Sequence, residues 1–154
     1  MLKKISFIIL LLNLLNHCDY KPVYSQQNKV DYKIVITSST GDKEINNLIS
    51  TTLKKNSKIN SNKILNISFD TKYTKNSLAR NTAGTITDYQ ANVITEFTIE
   101  KENNSENFSV NEKFNFQKMT DKYEEKNYEQ NIKKNLANSI SQKIILRLAS
   151  TKWF

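Results

Sequence analysis

The chain has 154 residues, 23 lysines and arginines against 15 aspartates and glutamates, one cysteine and one histidine. Beyond the first eighteen residues there is neither histidine nor cysteine, so the usual neutral-pH general base, the commonest metal ligand and any disulfide within the rest of the chain are excluded. The carboxylates are scattered. A glycan hydrolase would need two of them facing each other about 5–10 Å apart, and no such pair stands on neighbouring positions of one strand face. Neither a metal nor a cofactor is expected, and the reading is of a protein that is not an enzyme.

The chain opens MLKKISFIILLLNLLNHCDYKPVY. Lys3 and Lys4 form a positive start, residues 5–15 an apolar run, and Cys18 follows at its end. A mature membrane span needs about 20 apolar residues, so the run is too short for one. It has the form of an export signal, with Cys18 where a bacterial lipoprotein is cut and acylated. An uncleaved hydrophobic anchor with an incidental cysteine is the alternative. On the first reading residues 1–17 are a signal peptide and residues 18–29 a lipidated tether. Residues 30–154 are then a single domain, long enough for one core. Stable anchoring takes at least two acyl chains, since one gives only marginal membrane residence.

Removing Lys3 and Lys4 leaves 21 basic residues against 15 acidic, a balance of +6. Such an excess suits an anionic partner. A compositional bias toward lysine and asparagine would write the same surface. An exported chain does not meet cytoplasmic nucleic acid, and none is expected as a partner.

From Val30 the pattern alternates. Val30, Tyr32, Ile34 and Ile36 share one face, a half-buried strand by its period of two. Asp42 is placed to cap a helix whose apolar positions are Ile45, Leu48, Ile49, Thr52 and Leu53. Next comes a strand with Leu65, Ile67, Phe69, Thr71 and Tyr73 on one side, then a loop, TKNSLARNTAG, holding Arg80. A long strand follows with Tyr89, Ala91, Val93, Thr95, Phe97 and Ile99 inward. Asn103, Asn104 and Ser105 have turn composition. Phe108, Val110, Phe114 and Phe116 form the returning strand, where Glu112 interrupts the apolar face; it reads as an edge residue reaching water, with a buried functional carboxylate as the alternative. Asp121 caps the last helix, with Glu124 in capping-box position. Its stripe is Tyr128, Ile132, Leu136, Ile140, Ile144 and Leu148, and Lys126, Lys133, Lys134 and Lys143 lie on the other side. The expected fold class is α+β: a two-layer sandwich in β-α-β-β-β-α order. Its sheet has four strands, mainly antiparallel, with two helices on one face.

The start Cys18-Asp19-Tyr20-Lys21-Pro22-Val23-Tyr24 resembles the Cys-Gly-Phe-x-Pro-Leu-Tyr start of the lipopolysaccharide-assembly lipoprotein family, LptE or RlpB, in its alphaproteobacterial form. The element order and the final helix NIKKNLANSISQKIILRLAS are similar to that family as well. The resemblance implies a non-catalytic lipoprotein anchored at Cys18 on the periplasmic side of the outer membrane. There it would plug an LptD-type β-barrel and assist lipopolysaccharide assembly. Two positions depart from the family pattern: His17, where a small residue is usual before the cysteine, and Asp19, where glycine is usual. Aspartate there retains enteric lipoproteins at the inner membrane, so a generic periplasmic lipoprotein serving another envelope complex is the alternative. For phosphate contacts the candidates are Lys72, Lys75 and Arg80, which is one of only two arginines; arginine grips phosphate bidentately and lysine as a point charge.

Overall fold

The computed structural model describes residues 30–102 and 104–150. The signal and tether segments with Cys18 and Asp19, and Asn103 of the turn, therefore lie outside the described residues. Six elements follow in the expected order: β1 (Lys33–Gly41), α1 (Lys43–Asn56), β2 (Ile64–Arg80), β3 (Ile86–Lys101), β4 (Asn104–Gln117) and α2 (Lys122–Ser150). The sheet order is β1-β2-β3-β4. β1 runs parallel to β2, and the two remaining pairs are antiparallel. Both helices cover one face, and they pack against each other.

The alternation is borne out where it is apolar. Leu65, Ile67, Val93, Phe97 and Ile99 face the helices and are nearly solvent-free. So do Ile45, Ile49 and Leu53 of α1 and Ile132, Leu136, Ile140, Ile144 and Leu148 of α2. Burial of this kind, at about 25 cal/mol per Å² of apolar surface, is the main force holding the layers together. Phe97 sits between Phe69 and Phe108, with ring centroids at 5.4 and 5.3 Å. In the middle of the covered face Thr71 and Thr95 are both buried and satisfy one another, hydroxyl to hydroxyl at 3.1 Å.

Both predicted caps form. The Asp42 carboxylate accepts from the backbone N–H groups of Glu44 and Ile45 at 3.1 Å each. Asp121 accepts from Tyr123 at 2.6 Å and Glu124 at 3.1 Å. These bonds satisfy amides that a helix start leaves without partners. The expected capping-box partner Glu124 is not the residue that reaches back: Glu125 does, and its carboxylate takes the N–H of Met119, two residues ahead of the cap, at 3.0 Å.

Four expectations need correction. TKNSLARNTAG is not a loop, because β2 runs to Arg80 and pairs with β3 throughout, leaving only residues 81–85 as a turn. The one large apolar side chain of that segment, Leu78, stands beside Ala79 and is not repeated at a spacing of two, so the segment carries no alternating hydrophobic signal. Asn104 and Ser105 belong to β4, and the chain reverses at Glu102, whose φ is +51°. Lys133 is not on the outer side of α2 but lies between the layers, 2.9 Å from Asp42. The edge position of Glu112 holds, yet its carboxylate is largely enclosed and ion-paired with Lys143.

Candidate interaction surfaces

Two ends of the sandwich can be distinguished. The proximal end carries the start of β1, the β3–β4 reversal and the last turn of α2. The distal end carries the β2–β3 turn, the first turns of α2 and the three basic residues singled out from the sequence.

These three residues do not converge. Lys75 points to the helix side, where its ammonium is 2.8 Å from Glu125 and 2.9 Å from Glu129 of α2. It also lies over the ring of Tyr89, 4.2 Å from the centroid, and 5.3 Å from that of Phe116. The Tyr73 hydroxyl donates to Glu129 at 2.6 Å. Burial works against the charge on Lys75, but the two glutamates outweigh it and raise its pKa. The Glu125 carboxyl is held below its usual range chiefly by its hydrogen bond from Lys75. Burial pushes Glu129 up, and hydrogen bonds from Tyr73 and Lys75 outweigh it and bring it down. Burial and the hydrogen bond to Glu129 raise the Tyr73 phenol. Lys72 projects from the opposite, uncovered face, and Arg80, at the tip, donates to the Gly84 carbonyl oxygen at 2.9 Å.

Sequence reasoning missed Glu125 and Glu129 as partners of Lys75. Their i, i+4 spacing puts both on one side of a helix turn, which was a legible signal. Which lysine they meet is set by the crossing of α2 over the sheet, and no local pattern encodes that. Beside this cluster a cleft of about 870 Å³ opens between the ends of β3 and β4 and the start of α2, lined by Ile86, Tyr89, Met119, Lys118 and Lys122 among others.

The uncovered sheet face is mostly polar, interrupted by Ile94 between Lys72 and Asn111 and by Val35 beside Asn66. One cross-strand row reads Ser68, Thr98, Asn107, and others read Thr74, Asn92, Lys113 and Asn76, Gln90, Asn115. Gln90 donates to Asn115 at 2.9 Å. Acidic side chains gather toward the proximal half, where Asp70 stands opposite Glu96 and takes a hydrogen bond from Thr40. Such a face can hydrogen-bond to a hydrophilic wall, and it offers no greasy patch. Among the described residues no group of three or more His, Cys, Asp or Glu side chains could hold a metal ion, and no helix is long and apolar enough to cross a membrane.

A mixed four-stranded sheet in β-α-β-β-β-α order, covered on one face by a short and a long helix, is the fold of the rare lipoprotein B structures. The chain aligns with rare lipoprotein B from Shewanella oneidensis at a TM-score of 0.54 and 16% identity, covering 71% of this chain and 92% of that one. It aligns with lipoprotein B from Nitrosomonas europaea at 0.57 and 13%, covering 79% and 87%. With a minor lipoprotein from Acinetobacter baumannii the values are 0.52 and 16%, covering 75% and 94%. At these identities the likeness is one of fold, and at that level the resemblance read from the sequence is borne out. No family model matches the sequence, and no curated protein matches it either.

Proposed function

We propose that the chain is an LptE-like, non-catalytic lipoprotein of the outer membrane. It is anchored through Cys18 on the periplasmic side, plugs an LptD-type β-barrel and assists lipopolysaccharide assembly. The observation that carries this reading is the rare lipoprotein B fold behind a Cys18 start of matching form. The polar uncovered face agrees with it, because a plug inside a barrel meets a polar wall. Lys72 and Arg80 supply cations at the distal arm for phosphate groups. Lys75 joins them only by exchanging Glu125 and Glu129 for the ligand.

A pull-down of the tagged full chain from mild-detergent membranes, read by mass spectrometry, tests the reading. A stoichiometric outer-membrane β-barrel is the expected companion. Recovery alone or with inner-membrane proteins would overturn the plug role. Asp19 favours that second outcome, in which the chain serves another envelope complex from the inner membrane. Membrane fractionation separates the two addresses.

A further inference from the structure

β1 and β2 are unequal partners. β1 makes its last pair at Gly41 against Thr71, whereas β2 continues to Arg80. β3 covers the other edge of β2 along its whole length. The chain leaves β1 there because Gly41 has a φ of +92°, where a Cβ would run into the Thr71 carbonyl oxygen, and Asp42 at once caps α1. A gap in line with β1 is thus built into the sequence at Gly41 and Asp42.

The backbone groups that face the gap follow from strand alternation. The Thr71 carbonyl points toward β1, since it accepts from Asp42 N–H at 2.9 Å. Tyr73, Lys75 and Ser77 lie two, four and six residues on, so their N–H and C=O groups point the same way. Among the described residues no strand pairs with them on that side. The free edge, residues 72–80, is nine residues or about 30 Å of strand at roughly 3.3 Å per residue.

The side chains along this edge select what fits it. Lys75 is already engaged by its two glutamates on the helix side. Lys72 and Arg80 make no ion pair among the described residues, and Thr74 and Asn76 between them are uncharged. Asp70 accepts from Thr40 and keeps its charge, but it stands before the gap, and residues 72–80 themselves hold no carboxylate. A second copy is a poor occupant, because antiparallel pairing centred on the gap at Asn76 would set Lys72 of each copy opposite Arg80 of the other, and like charges directly opposite repel. Cations also keep an open edge from pairing indiscriminately, while a strand bringing carboxylates meets attraction.

The geometry points to strand addition at the free edge of β2: residues 72–80 take an extended, acidic segment of another polypeptide as a fifth strand in line with β1. Main-chain bonds to Tyr73, Lys75 and Ser77 supply the affinity, and Lys72 and Arg80 supply the selection for carboxylates. The inference stands on the sheet edge alone and holds whether or not the partner is a β-barrel.

Hydrogen exchange on the full chain in nonionic detergent tests it, with two synthetic peptides of nine residues, matched to the free edge. One alternates threonine with glutamate, the other threonine with lysine. The glutamate peptide is expected to slow exchange across residues 72–80 by about tenfold or more, and the lysine peptide to leave it unchanged. Ser77→Pro removes an N–H that faces the gap and none that pairs with β3, so it should fold and lose the protection; proline is tolerated at such edge positions. Lys72→Glu should weaken the glutamate peptide without touching the main chain. Equal protection by both peptides, protection by neither, or an undiminished effect in Ser77→Pro would each overturn the inference.

Discussion

The two ends of the helix–sheet interface are held by different physics, although one helix spans both. Proximally, Ile140, Ile144 and Leu148 of α2 belong to an apolar cluster with Leu65, Ile67, Phe97 and Ile99, all nearly solvent-free. Distally, the same helix meets the sheet through Glu125 and Glu129, which grip Lys75 and Tyr73, and meets the start of α1 through Lys133, which grips its cap Asp42. The buried Thr71–Thr95 pair marks the change. Apolar burial is indifferent to pH and mild salt. Partly buried ion pairs such as these are worth little net, because desolvation offsets most of the attraction. The proximal half therefore sets global stability, and the distal half, beside the free edge of β2, is the part that can loosen locally.

The largest effect belongs to the proximal half. Ile140 is fully buried, and Ile140→Ala is expected to cost about 3–4 kcal/mol through lost transfer energy and a residual cavity. Urea unfolding would measure it, and a loss below about 1 kcal/mol would contradict the picture of a close-packed proximal core.

Lys75→Met should cost less, about 1–2 kcal/mol, since it leaves two partly buried carboxylates facing one another without their cation. Adding Glu129→Gln should restore part of that loss. A double-mutant cycle with zero coupling would show that the pair contributes geometry and no energy.

This division between halves also governs how much was readable from the sequence. Period two in Leu65, Ile67 and Phe69, and the four-residue recurrence from Ile132 to Leu148, fixed the elements, their order and the apolar proximal core, because one buried face leaves a hydrophobic trace. The caps were legible for a similar reason: Asp42 and Asp121 each sit just ahead of a periodic stretch. The distal arm left no such trace. Residues 74–80 have no alternating apolar positions, only Leu78 next to Ala79, so strand and loop look alike there. Lys133 has the local pattern of a solvent-facing helix lysine, and only the approach of α1 to α2 brings Asp42 to it. Whether Lys72, Lys75 and Arg80 share a face depended on strand length and two β-bulges after Ser77, and neither is written in composition.

The smallest effect is the response to acid, and it distinguishes the halves most sharply. In the folded chain Glu125, Glu129 and Asp42 all have lowered pKa values; Lys75 is the first cause at Glu125, while at Glu129 and Asp42 burial is overcome by hydrogen-bonded partners. A lowered carboxyl pKa contributes stability that is fully present above the unfolded value, about 4, and is lost as pH falls through the folded one. Lys75 is raised, so its share is fully present below its unfolded value and is lost only in strong alkali. Between about pH 5 and 9 the distal contacts should therefore be flat with pH. Taken from pH 5 toward 3, residues 122–130 of α2 should lose hydrogen-exchange protection before residues 132–148, with rates corrected for the intrinsic effect of pH. In Lys75→Met the distal turns should already be loose at pH 5 and the acid step correspondingly smaller. Uniform loss along the whole of α2 would mean that the helix docks as one unit and that the ion pairs are not a separate latch.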